Sequence, residues 1–182
     1  MSTYRRVRVP GASIFFTVTL DQRGSSLLTE HIDHLRLAVA RTRSERPFTI
    51  DAFVVLPDHL HCVWTLPDRD ADYSTRWGAI KSRFSRSLRD GCKAGFNPTL
   101  ARAAGKAVGW NPTLRRSASR ERTGESGLWQ RRFWEHHIRD EDDYRAHVAY
   151  CWTNPVKHAL VSDPHDWPFS SIHRDTMRGY SA

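Results

Sequence analysis

The stretch FTIDAFVVLPDHLHCVWTL, residues 48–66, decides the fold. Residues 48–56 are mostly β-branched or aromatic, Pro57-Asp58 is turn chemistry, and 59–66 is again strand-like, so the spacing predicts a β-hairpin. Alternation within the second strand puts His59 and His61 on one face and Leu60, Cys62, Trp64 and Leu66 on the other. The apolar row suits a core beneath helices. It leaves the two imidazoles side by side on the exposed face of the sheet.

Working outward, residues 13–20 (SIFFTVTL) set Ile14, Phe16, Val18 and Leu20 against Phe15, Thr17 and Thr19, the period of a half-buried strand. From Leu28 the positions Leu28, Ile32, Leu35 and Val39 share a helical face, which Arg46-Pro47 ends. Beyond the hairpin, Ser74 is a plausible N-cap for a second helix with Trp77, Ile80, Phe84 and Leu88 inward and Arg76, Lys81, Arg83, Arg86 and Arg89 on its other faces. Residues 128–138 have strand composition. Asp140 can cap a third helix running to about Thr153, and Pro155 is read as starting a short fourth over 156–160. The order β-α-β-β-α-β-α predicts an α+β, ferredoxin-like antiparallel sheet with helices packed on one face.

The chain has 182 residues, 39% hydrophobic and 11% aromatic, enough for one domain with a proper core and too much for a disordered tail. No apolar run approaches membrane-span length and the N-terminus lacks the pattern of an export signal, so a cytoplasmic protein with no membrane partner is expected. Three cysteines, Cys62, Cys92 and Cys151, imply neither a disulfide framework nor a thiolate zinc site. The net charge is +8, and its distribution is uneven. Residues 76–139 hold 15 Lys and Arg against 4 Asp and Glu, while the rest of the chain is slightly acidic. Such a local excess reads as a polyanion footprint or as a solvated basic face. Residues 87–127 depart from the plan: they are rich in Gly, Ala, Arg and Ser, and GFNPTL at 95–100 returns as GWNPTL at 109–114. They are read as a flexible basic insertion in a single domain spanning 1–182.

Three groups of residues can carry chemistry. His59 and His61 make two corners of a metal site, or are two unrelated surface histidines among ten. Tyr150 and Asn154, one helical turn apart, pair a phenol nucleophile with a carboxamide donor suited to Mg²⁺ or Mn²⁺. The plain alternative makes Tyr150 a core residue and Asn154 the N-cap before Pro155. In Trp129-Gln130-Arg131-Arg132-Phe133-Trp134-Glu135-His136, interleaved basic and aromatic side chains suit single-stranded nucleic acid, or else the aromatics are core.

The string Leu56-Pro57-Asp58-His59-Leu60-His61-Cys62-Val63-Trp64 resembles the His-hydrophobic-His motif of HUH single-strand transposases, and His147-Val148-Ala149-Tyr150 with Asn154-Pro155-Val156-Lys157-His158 resembles their single-tyrosine helix. With Tyr4-Arg5-Arg6, Phe15-Phe16-Thr17-Val18, Arg132-Phe133-Trp134-Glu135-His136 and Asp166-Trp167-Pro168-Phe169-Ser170-Ser171, the similarity is to REP-associated tyrosine transposases. It covers nearly the whole chain outside 87–127.

The resemblance implies an enzyme: a metal-dependent single-strand DNA endonuclease and strand transferase acting at palindromic hairpins through a 5′-phosphotyrosine. Tyr150 would be the nucleophile, on a C-terminal helix. His59, His61 and Asn154 would ligate a divalent cofactor, Mg²⁺ or Mn²⁺. Arg5, Arg6, Lys81, Arg83, Arg131, Arg132 and Lys157 would contact DNA. The implied partner is single-stranded or hairpin DNA, bound by a monomer or homodimer associated with the nucleoid. The competing expectation is a hairpin-binding regulator of the same fold that does not cut.

Overall fold

A computed structural model describes residues 6–93 and 127–176. In chain order it contains β1 (Ser13–Thr19), α1 (Leu27–Glu30), α2 (Ile32–Glu45), β2 (Thr49–Val55), β3 (His59–Thr65), α3 (Tyr73–Lys93), β4 (Trp134–His137), α4 (Glu141–Lys157), a 3-10 turn (Pro164–Asp166) and α5 (Ile172–Thr176). The sheet order is β2-β3-β1-β4, with every neighbouring pair antiparallel. β1 and β2 flank β3 and are therefore parallel to each other across the α1–α2 crossover. β3 and β4 flank β1 in the same way across α3. Two interlocked βαβ units of this kind are the ferredoxin-like arrangement that the element order predicts.

The two crossover helices pack on one face, as expected. There Ile14, Phe16, Val18 and Leu20 of the β1 region meet Leu60, Cys62 and Trp64 of β3, together with Leu35 of α2 and Trp77, Ile80 and Phe84 of α3, all almost fully buried. Trp64 and Trp77 stack with ring centroids 4.3 Å apart. A register shift between Ile50 and Ala52 lets both Ile50 and Phe53 turn toward this layer, which strict alternation forbids.

The other face is not open. α4 lies across β2 and β3, and a second cluster forms from Phe15, Ala52, Val54, Leu56, Val63, Val148, Cys151 and Trp152. This corrects the half-buried reading of β1: Phe15 is as buried as Phe16, because side chains on both faces find an apolar cover. It also corrects the exposed placement of the histidines, since His59 and His61 are 6% and 4% exposed.

Three further readings change. Residues 128–138 form a strand only over Trp134–His137, preceded by an isolated bridge from Trp129 to Leu20. α3 starts one residue before Ser74, with Asp72 rather than Ser74 accepting from the Thr75 amide, and it continues to Lys93. The first seven residues of the expected insertion therefore belong to a helix, with Leu88 in the core. Residues 94–126 of that segment, with both copies of the hexapeptide, lie outside the described residues. Among the described residues no helix is long and apolar enough to cross a membrane.

α4 itself departs from expectation. Asp140 caps it, its side chain accepting from the Asp143 amide at 2.8 Å, as the sequence suggests. The helix does not end before Pro155, however; it runs through it to Lys157. Proline fits the φ of a helix, but it lacks an amide for the carbonyl four residues back and its ring crowds that carbonyl. Here that costs one bond in the last turn, while Pro155 and Asn154 are both buried in the docked helix.

Candidate functional site

β3 supplies His59 and His61, and β1 supplies their supports. Thr17 pairs with His61 across the sheet, and Thr17 Oγ1 lies 2.9 Å from His61 Nδ1. Asp58, in the hairpin turn, places Oδ1 2.6 Å from His59 Nδ1 and is itself held by the Gly24 amide at 2.7 Å and Arg23 Nε at 3.3 Å. With each Nδ1 so occupied, both imidazoles present Nε2 as the free ligand atom, the usual way a second partner orients a metal-binding histidine. The two rings are 5.0 Å apart, centroid to centroid.

α4 brings the second pair. Tyr150 and Asn154 do share a face, and that face meets the histidines: the Tyr150 ring is 5.2 Å from that of His61 and 5.7 Å from that of Phe15. Asn154 is completely buried, inside the helix and not at an N-cap. Its Nδ2 donates to the Tyr150 carbonyl at 3.4 Å. Its Oδ1 and the Nε2 of His61 are buried and make no hydrogen bond of ordinary geometry, although the carboxamide lies close enough to pull the imidazole's basicity upward. Among the described residues seven buried side-chain nitrogens or oxygens make no such bond; these two stand beside the Tyr150 ring, and an imidazole nitrogen with a carboxamide oxygen is a donor pair that suits a divalent cation. His59, His61 and Asn154 therefore fit the implied metal.

The electrostatics agree. Burial pushes the His61 imidazole down to about 3, helped by His59, His158 and Lys157 and opposed by the Asn154 carboxamide. Burial also lowers His59, against the pull of Asp58. For Asp58, burial works upward but is outweighed by the hydrogen bonds from His59 and Gly24, which leave the carboxyl below its usual range. At neutral pH the site holds two neutral imidazoles and an ionised carboxylate behind one of them. Lys157 Nζ sits 4.2 Å from the centroid of the Tyr150 ring.

A further cluster was not read from the sequence. His136 Nε2 lies 2.8 Å from Asp143 Oδ2, and His147 Nδ1 lies 3.0 Å from Asp143 Oδ1, with the two imidazoles stacked at 4.6 Å. The spacing of Asp143 and His147, four apart on α4, was the available signal. These three could gather round a cation, but Asp143 already accepts from His136, from the Arg139 amide and from Arg139 Nε. The His136 bond first, and then Arg139, hold its carboxyl well below the usual range. The cluster fastens α4 to β4.

The expected DNA contacts scatter. Arg5 lies outside the described residues. Arg6 reaches Ser74 Oγ at 2.9 Å and Glu135 at 3.4 Å, over the Phe133 ring. Lys81 donates to the Gln130 carbonyl, and Arg83 binds Thr42 and Glu45 between α2 and α3. Arg131 and Arg132 are exposed just ahead of β4. Lys157 is the member of the group that meets the tyrosine. Arg76, read as part of the basic surface of α3, is instead buried at 1% exposure. The interleaved aromatics divide: Phe133 joins the helix-covered core, and Trp134 is 54% exposed.

No family model matches the sequence. Individual proteins do. The chain is 42% identical over 179 residues to a REP-associated tyrosine transposase of Escherichia coli (strain K12), covering 98% of this chain and 87% of that one. A relative from Haemophilus influenzae is 40% identical over 175 residues, 96% of this chain and 88% of its own length. Among solved structures, a REP-associated tyrosine transposase bound to a REP hairpin superposes with a TM-score of 0.78 at 41% identity, covering all of this chain and 89% of that one. Identity at this level over nearly the full length places the chain in the REP-associated tyrosine transposase family.

Proposed function

We propose that this chain binds REP-type palindromic hairpins and cuts and rejoins the adjoining single strand by transesterification through Tyr150. The observation that carries the reading is the meeting of the Tyr150 ring with His61, next to two buried donor atoms, His61 Nε2 and Asn154 Oδ1, that make no hydrogen bond of ordinary geometry. The solved relative is bound to a REP hairpin, which makes the same class of DNA the substrate to test.

His59, His61 and Asn154 would hold the divalent ion, Mg²⁺ or Mn²⁺. When bound, it supplies Lewis-acid stabilisation of charge on a phosphate oxygen. The chain's own residues do the rest. The Tyr150 oxygen forms a bond to phosphorus as the bond from phosphorus to the 3′-oxygen breaks, giving a 5′-phosphotyrosine. The phenol gives up its proton and the departing 3′-oxygen takes one up. One phosphoester replaces another, so a second 3′-hydroxyl can reverse the step without ATP. Lys157 places positive charge against the ring on which negative charge develops. Arg131 and Arg132 offer phosphate contacts at the edge of the sheet.

The test is incubation with labelled hairpin DNA from the gene's own flanks in Mn²⁺ or Mg²⁺, followed by a denaturing protein gel. A protein-linked band is expected, absent in Tyr150→Phe at unchanged hairpin affinity, and losing its metal dependence together with its cleavage in His59→Ala. Tight binding with no adduct in either metal would overturn cleavage and leave a hairpin-binding regulator.

A further inference from the structure

We propose that Trp134 is the stacking platform for an unpaired nucleobase next to the phosphate that Tyr150 attacks. The proposal rests on the hairpin-cutting reading and names the part of that site which would hold a single-stranded base.

Trp134 opens β4, the edge strand of the sheet, and more than half of its surface is exposed. A large apolar ring in water is unfavourable, and a single exposed tryptophan by itself signifies little. Here its surroundings are specific. The indole and the Phe15 ring meet in a T-shaped contact, 5.6 Å between centroids at 71°. The same Phe15 ring meets Tyr150 at 5.7 Å and stacks on His61 at 5.6 Å. One phenyl group therefore has the exposed indole on one side and the nucleophile and a candidate ligand on others.

The indole is also held. Its plane lies within 7° of that of His136, 6.0 Å away; His136 is fixed by Asp143 at 2.8 Å and by stacking on His147. A side chain positioned this firmly and still exposed is pre-organised for a flat partner. Basic residues are close at hand: the exposed Arg131 and Arg132 precede it in the chain, and Lys157 lies against Tyr150. Aromatic faces flanked by cations are how proteins hold single-stranded nucleic acid, the ring taking the base and the cations its phosphates. In a duplex the bases are already stacked on one another, so the platform selects an unpaired nucleotide.

The experiment measures affinity by fluorescence anisotropy for two labelled hairpins from the gene's flanks, one ending at the stem and one carrying its unpaired flanking segment. An abasic residue is then moved along that segment. Wild type should prefer the extended hairpin and lose about tenfold at one abasic position, the equivalent of one stacked base. Trp134→Ala should lose about tenfold on the intact extended hairpin, nothing on the bare stem, and nothing further at that abasic position. Trp134→Phe should recover most of the loss. An unchanged melting temperature for Trp134→Ala separates this from misfolding. Equal losses on both hairpins, no loss on either, or additive losses at every abasic position would overturn the platform. Failure of wild type to bind any hairpin would overturn the hairpin reading, and this proposal with it, before any substitution is made.

Discussion

Thr17 and His61 are partners across the β1–β3 ladder, and the Thr17 hydroxyl lies 2.9 Å from His61 Nδ1. That contact occupies one nitrogen of the imidazole and leaves the other, Nε2, on the side of the Asn154 carboxamide, where it makes no hydrogen bond of ordinary geometry. Replacing Thr17 by valine keeps the shape and deletes the oxygen. The expected result is a 10- to 100-fold loss of Mn²⁺ affinity with little change in folding, as is typical of a lost second partner to a metal-binding histidine. Isothermal titration with Mn²⁺ checks it, and unchanged affinity would remove Thr17 from the site.

Lys157 separates two roles cleanly. Its ammonium is 4.2 Å from the Tyr150 ring centroid, where a cation–π contact is worth about 1 kcal/mol and more once the phenol carries negative charge. Only the gain on passing to the transition state changes the saturated rate, and a gain of about 1 kcal/mol makes adduct formation by Lys157→Met about fivefold slower at saturating DNA. If the lysine served as a phosphate anchor alone, affinity would fall and the saturated rate would stay the same.

Arg76 is buried and gives its hydrogens to the carbonyls of Arg46, Pro47 and Asp72 and to the Asp70 carboxylate, at 3.2, 2.7, 2.8 and 2.7 Å. Arg76→Ala leaves those acceptors without their donor and should destabilise the fold by about 3 kcal/mol in urea denaturation. Arg76→Met restores most of the volume and should recover only the packing part. Full recovery by methionine would mean that the hydrogen bonds contribute nothing.

The same pair sets an acid sensitivity. The Arg76 hydrogen bond, followed by the Asp72 amide, holds the Asp70 carboxyl below its ordinary value. A carboxyl lowered in the folded state adds stability that is fully present above its unfolded value of about 3.9 and disappears as the pH falls through its folded value. The stability difference between the native chain and Asp70→Asn should therefore be constant near neutrality and shrink below about pH 4. A difference that persisted unchanged to pH 2 would show that it does not come from ionisation.

α4 ends in a Schellman-type closure. The Leu160 amide donates to the Pro155 carbonyl at 3.0 Å and the Ala159 amide to that of Val156 at 2.9 Å, which puts Ala159 at φ 53°. An alanine there carries a steric cost that glycine does not. Ala159→Gly should stabilise the fold by about 1 kcal/mol, raising the melting temperature by about 2–4 °C. A lower melting temperature would show that this conformation is not strained in solution.

Several of these contacts were invisible in the sequence for reasons that can be named. Pro155 reads locally as a helix start, and only the docking of α4 makes it worthwhile to continue the helix through it. Arg76 reads as surface charge because nothing in the helical pattern reveals the three carbonyls that converge on it from the α2–β2 connection and the loop before α3. Phe15 reads as the outward residue of a half-buried strand, because the helix that covers it lies about 130 residues further along the chain. By contrast, Trp77, Ile80, Phe84 and Leu88 were legible as an inward face, since helical spacing alone aligns them.

By itself the sequence determined the ferredoxin-like order of elements and the two pairs that share a face, His59 with His61 and Tyr150 with Asn154. Those follow from the two-residue period of a strand and the four-residue step of a helix, which are properties of the backbone and need no partner. Only the tertiary structure decided that the two pairs meet. α4 takes the second face of the sheet because Val148, Cys151 and Trp152 bury against Phe15, Val54 and Val63, a sum of small apolar gains that no local pattern encodes. That docking turns two surface-looking histidines into buried neutral imidazoles. It also gathers His61 Nε2 and Asn154 Oδ1, neither in a hydrogen bond of ordinary geometry, beside the tyrosine.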